Sequence, residues 1–182
     1  MRAVALAVLT SVFGAAPALA QQAPEPDWKE YIYLDRGFAI QFPAPPTITA
    51  GTLDSVLYEG LATSIYSAEF DHVIYRLTVV DLGENADASA NVLNEVAFNM
   101  IRDGGLLFTT FPRVYNNQQS AFGVTLVVDV PDGSRARTTL YYRKGMLYRA
   151  DAIILPARGD MDMAIPSRFD QTLRFPPDGR FD

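Results

Sequence analysis

The chain has 182 residues, a formal net charge of −6, no cysteine and a single histidine. No disulfide framework can form, and zinc sites built from His and Cys are excluded by count. An acidic chain is also a poor partner for nucleic acid or anionic lipid, whose recognition rests on concentrated Lys and Arg, so no nucleic-acid partner is expected.

Residues 1–20 read as an export signal. Arg2 supplies the positive start, Ala3 to Gly14 is an uncharged apolar run, and Ala18-Leu19-Ala20 is the small-x-small pattern of a cleavage site, which places cleavage after Ala20. A membrane anchor would need about 20 apolar residues, and this run is shorter and interrupted by Pro17. The expected address is therefore periplasmic or secreted, with no membrane span in the mature chain. Residues 21–27, with Pro24 and Pro26, form a flexible leader. Residues 28–175 are expected to be one domain and 176–182 a frayed tail.

Within that domain, Tyr31-Ile32-Tyr33 and Phe38 to Phe42 read as two short strands around a turn at Asp35-Arg36-Gly37, stopped by Pro43, Pro45 and Pro46. Thr47 to Leu53 is a further short strand. Leu61 to Phe70 and Val73 to Leu82 form a second hairpin around Asp71 and His72. The later strand is apolar on both faces and needs cover on both sides. Asn85 or Asp87 can cap a helix on which Val92, Leu93, Val96, Ala97, Met100 and Ile101 recur at helical spacing, ended by Gly104 and Gly105. Leu106 to Tyr115 is an edge strand broken by Pro112, followed by a turn at Asn116-Asn117.

Phe122 to Leu155 is a three-strand meander. Phe122, Val124, Leu126, Val128 and Val130 alternate with smaller or polar residues, and Val130-Pro131-Asp132-Gly133-Ser134 suits a three-residue loop with a glycine bulge. That register sets Val128 opposite Ala136, Leu126 opposite Thr138 and Asp129 opposite Arg135. A second three-residue loop, Arg143-Lys144-Gly145, would set Thr138 opposite Ala150 and Arg137 opposite Asp151. After the meander, Pro166 opens a last helix on which Phe169 and Leu173 face the sheet.

The opening Gly37-Phe38-Ala39-Ile40-Gln41-Phe42-Pro43 with Pro45-Pro46, the hairpin Gly145-Met146-Leu147-Tyr148 and the closing Arg168 to Phe175 resemble the PsbP-like family of small exported proteins. The resemblance implies an α+β fold, a single-domain antiparallel sheet sandwiched by helices. Named relatives of that fold are accessory proteins, an extrinsic photosystem subunit and a nuclear-transport factor that binds a small GTPase. None of their binding residues can be matched here, and shared fold does not license shared function.

Candidate chemistry is sparse, and no cofactor is expected. His72 sits in a tight turn, where it lacks the buried carboxylate that a Ser-His-Asp arrangement requires. Asp81, Glu84 and Asp87 could bind a hard cation, or simply serve the start of the helix. Asp160 and Asp162 are spaced like weak oxygen ligands, with no calcium-type loop following. Arg135, Arg137, Arg143 and Arg149 fall on the odd face of the meander together with Thr139 and Tyr141. They are either an anion- or carbohydrate-facing surface or cross-strand partners for Asp129 and Asp151. The candidate interaction face is Arg137, Thr139, Tyr141, Arg149 and Asp151.

Three function classes follow. The leading one is a non-catalytic accessory protein acting on another envelope protein through a surface. The second is a small-ligand binder with a cleft between the N-terminal aromatics and the odd face of the meander. An enzyme is third.

Overall fold

A computed structural model describes residues 25–56, 58–83, 89–110, 113–116 and 119–175. The expected export signal 1–20, most of the expected leader 21–27, Glu84, Asn85, Asp87, Pro112, Asn117 and the expected tail 176–182 lie outside the described residues. The fold is mostly antiparallel sheet. Strands β1 (Lys29–Tyr33) and β2 (Phe38–Phe42) form a hairpin of their own. The main sheet contains β3 (Thr47–Leu53), β4 (Leu61–Phe70), β5 (Val73–Asp81), β6 (Gly105–Thr110), β7 (Arg113–Asn116), β8 (Gln119–Asp129), β9 (Arg135–Arg143) and β10 (Met146–Ile154). Its order is β3-β4-β5-β10-β9-β8, with β6 and β7 both paired to β8. Helix α1 (Ser89–Asp103) lies between β5 and β6 in the chain, and the four-residue helix α2 (Arg168–Gln171) follows β10. Among the described residues no helix is long and apolar enough to cross a membrane.

The first hairpin of the meander has the expected register. Val128 faces Ala136, Leu126 faces Thr138 and Asp129 faces Arg135. The Val130 N–H donates to the Ser134 carbonyl at 2.8 Å, and Gly133 takes φ +85° to close the bulged loop.

The second hairpin differs. Arg143 pairs with Met146 across a two-residue turn, Lys144-Gly145, with φ of +47° and +78°. Two consecutive left-handed residues give the tight turn whose twist matches paired strands. The expected three-residue loop is therefore wrong by one position, and every side chain of β10 moves to the opposite face. Asp151 stands opposite Thr138, and Arg137 opposite Ala152.

The sheet's two faces are covered differently. On one face Tyr66, Tyr75, Leu77, Tyr141, Tyr148 and Ala150 pack against Phe38, Ile40 and Phe42 of the small hairpin and against Phe169, Leu173 and Phe175 of the C-terminal segment. Trp28 meets Tyr75 edge to face at 5.3 Å and so packs on this side of the sheet. A backbone bridge between Ala39 and Arg174 ties the C-terminal segment to the hairpin. On the other face Val92 and Leu93 of α1 pack on Val124, Leu126, Leu140 and Leu147, toward the β8 and β9 side. A single 15-residue helix thus covers part of one face, while the other is covered by the hairpin and one helical turn. The antiparallel α+β arrangement holds, but it is not an even sandwich between helices.

Burial pushes the Tyr75 and Tyr148 hydroxyls up from 10.0 to about 12. In the unfolded chain both ionise near 10, so their contribution to stability is complete below pH 10 and is lost as pH rises toward 12. Two pH units correspond to roughly 3 kcal/mol per tyrosine. The melting temperature is expected to hold from pH 8 to pH 10 and to fall above it, less steeply in Tyr148→Phe. A flat profile through pH 12 would contradict this burial.

A candidate ligand-binding cleft

The five residues of the expected interaction face do not share a face. Arg137, Thr139 and Tyr141 point to the hairpin side and Arg149 and Asp151 to the α1 side, because the Lys144-Gly145 turn shifts β10 by one residue. On the hairpin side Arg137 grips Asp170 of α2 with Nε and Nη2 at 2.7 and 3.0 Å. Thr139 donates to the same carboxylate at 2.9 Å and lies 2.8 Å from the Thr125 hydroxyl. Tyr141 is buried beside this latch, and burial raises its hydroxyl pKa well above the usual tyrosine range. The group is a fully bonded clasp that fixes α2 to the sheet.

On the α1 side Asp151 is fully buried. Its Oδ1 accepts from the Thr138 hydroxyl at 2.6 Å and from Arg149 Nε at 2.9 Å, and its Oδ2 accepts from Arg76 Nε at 3.3 Å. A buried carboxylate survives only with such support, since taking a charge out of water costs several kcal/mol. Both arginines stay about a third exposed. Among the described residues, nothing bonds their terminal nitrogens.

These arginines line a cleft of about 610 Å³ between α1 and the part of the sheet that the helix leaves uncovered. Val96 and Met100 of α1 form one wall, and Ile74, Ile153 and Val128 of the sheet form the other. The volume falls in the range of about 300–1,000 Å³ that holds small ligands. An adjoining pocket of about 220 Å³ shares Leu53, Arg76, Val96 and Arg149 with the cleft, and adds Asp151 and Thr63. The Thr63 hydroxyl oxygen is buried and without a hydrogen-bond partner.

The cleft is therefore on the opposite side of the sheet from the one expected, where the N-terminal aromatics fill the space themselves. Arg76 and Thr63 were not singled out in the sequence. A readable signal did exist in Arg76 between Tyr75 and Leu77, a charge in a strand apolar on both sides, with Asp151, flanked by Ala150 and Ala152, as its natural counter-charge.

The remaining candidates are structural. His72 is exposed in the β4–β5 turn at φ +57°. Asp160 Oδ1 accepts from the Asp162 amide, and Asp162 Oδ1 from the Ala164 amide, so this pair closes successive loop turns. Asp81 caps the Gly83 amide in the same way. Asp129 pairs with Arg135 as expected, and the hydrogen bond from Arg135 lowers the Asp129 pKa.

No protein-family model matches the chain, and no curated protein matches it. Among solved structures it is similar to the solution structure of cyanobacterial PsbP (CyanoP) from Synechocystis sp. PCC 6803, at 10% sequence identity and a TM-score of 0.49, over 89% of this chain and 98% of that one. The resemblance is at the level of the fold only.

The two arginine clusters should respond differently to truncation. Arg137→Ala strands Asp170 in the interior without a cation among the described residues, and is expected to cost about 3–5 kcal/mol. Arg149→Ala leaves Asp151 bonded to Arg76 and Thr138, and should cost less, about 1.5–3 kcal/mol. Urea denaturation of the two variants checks the order, and equal losses would argue against it.

Proposed function

We propose that this chain is a non-catalytic, exported accessory protein of the cell envelope that works by holding a small ligand in the α1 cleft. The observation that carries this reading is the cleft itself, about 610 Å³ with apolar walls and two arginines fixed over a buried aspartate. Apolar walls with a few convergent polar groups are the usual form of a small-molecule site. Export is supported by Arg2, the apolar run to Gly14 and Ala18-Leu19-Ala20. A binding role in preference to catalysis is supported by the side chains present. The one histidine is an exposed turn residue, and the carboxylate on the cleft floor is already engaged by three donors.

The exposed apolar side chains fit the leading sequence expectation, a protein-docking surface, less well. Among the described residues they are Ile32, Leu34, Ile48, Val56, Phe98, Leu106, Leu107 and Ile165, spread over β1 and the turn after it, β3 and the loop after it, α1, β6 and the loop before α2. Apolar side chains scattered in this way are ordinary surface.

Asn99 lines the cleft from α1 and is only partly buried, so Asn99→Trp should fill the space without disturbing the core. An environment-sensitive dye, anilinonaphthalene sulfonate, is expected to bind the purified chain saturably at one site. Asn99→Trp should lose that binding while melting at the same temperature. Equal binding by the variant, or none by the parent, would overturn the assignment of the cleft.

A further inference from the structure

We infer that the ligand of this cleft is an amphipathic acid with a single negative charge, its carboxylate held by Arg76, Arg149 and Thr63 and its apolar body lying between α1 and the sheet. The inference rests on the reading of the cleft as the binding site and adds the chemical class.

Three observations converge on it. The first is the gathering of Arg76, Arg149, Asp151 and Thr63 in a chamber of about 220 Å³, lined otherwise by apolar side chains such as Ile65, Val80 and Leu147, that adjoins a larger, mostly apolar cleft of about 610 Å³. A molecule with a compact polar head and a longer apolar body matches that arrangement.

The second is donor supply. Arg76 and Arg149 each spend only Nε on Asp151, which leaves their Nη groups for a further acceptor, and a planar guanidinium edge suits a carboxylate. Thr63 is 7% exposed, and its hydroxyl is a buried donor with no partner among the described residues. An unpartnered buried hydroxyl costs stability in the free protein. A carboxylate oxygen in the chamber would accept its hydrogen.

The third is charge. Two guanidiniums over one aspartate leave one uncompensated positive charge, which one carboxylate neutralises. Beyond them the charged groups that line the cleft are acids: Asp54, Glu95, Asp103 and Asp132. Each already accepts from a protein donor, namely the Gly60 amide, the Val56 amide, Arg102 and Ser134. They make the lining around the arginines acidic, which disfavours a ligand of higher negative charge.

Calorimetric titration of the purified exported chain with decanoate, decanol, decyl phosphate and decylammonium tests this. Decanoate is expected to bind at one site, with decanol, decyl phosphate and decylammonium each about tenfold weaker or more. Thr63→Val keeps the shape and removes the hydroxyl. It should weaken decanoate about tenfold, leave decanol unchanged and raise the melting temperature, since the orphaned hydroxyl is gone. Arg149→Lys keeps a cation and loses the planar edge, so it should likewise weaken decanoate and spare decanol. Equal binding of decanoate and decanol, indifferent to both variants, would overturn the assignment of class while leaving the cleft as a binding site. Tightest binding of decyl phosphate or decylammonium would overturn it in favour of a doubly charged or a cationic ligand. If none of the four binds, the inference fails, and the Asn99→Trp dye experiment reads independently whether the cleft assignment fails with it.

Discussion

Burying a carboxylate in a sheet is costly unless the surroundings supply donors, and the α1 side of this protein is arranged around one such group. Asp151 has no exposed surface and takes its hydrogen bonds from three strands: Thr138 on β9, Arg149 on its own strand β10 and Arg76 on β5. The aspartate fixes both guanidiniums by their Nε atoms, so the two cations stand over the sheet in set positions. Without it two long side chains would be free to leave for water, since each retains about a third of its exposure.

That arrangement depends on which way β10 faces, and the Lys144-Gly145 turn decides it. A two-residue turn puts Leu147, Arg149, Asp151 and Ile153 on the α1 side and Tyr148, Ala150, Ala152 and Ile154 on the aromatic side. The aromatic side is then closely packed, with the small side chains of Ala150 and Ala152 in the same cluster as the rings of Tyr75 and Phe169, and its pocket beside Phe70, Val73 and Tyr75 holds about 90 Å³. The α1 side is not filled, because the helix covers the sheet only toward β8 and β9. A cleft over β5 and β10 results. One face of the sheet is closed by aromatic packing and the other is left with an open cleft.

Much of this was legible in the sequence. The strands β1 to β5 and the helix follow from alternating or helical apolar spacing, punctuated by Gly37, the prolines after Phe42 and the Asp71-His72 turn. Pro131-Asp132-Gly133 dictated the first hairpin of the meander, because a single residue there can take positive φ without strain. Arg143-Lys144-Gly145 did not dictate the second. Lys144 adopts φ +47°, a conformation that its residue type disfavours, and Asp151 is fully buried where binary pattern would put it in solvent, so neither the turn residues nor the pattern pointed to this register. The error carried straight into the candidate site, joining Arg137 to Asp151 when each has other partners. Asp170 could not be assigned to Arg137 from the chain alone, since that pairing requires knowing where α2 lands on the sheet.

The central claim is that Asp151 belongs to the arginines of the cleft and has no part in the Arg137 clasp on the opposite face. Double-mutant cycles measure this directly, combining Asp151→Asn with Arg149→Ala in one cycle and with Arg137→Ala in the other, each read by urea denaturation. The account predicts a coupling of about 0.5–3 kcal/mol between Asp151 and Arg149, and additivity to within about 0.5 kcal/mol between Asp151 and Arg137. Strong coupling of Asp151 to Arg137 with none to Arg149 would contradict it, and would place β10 in the other register.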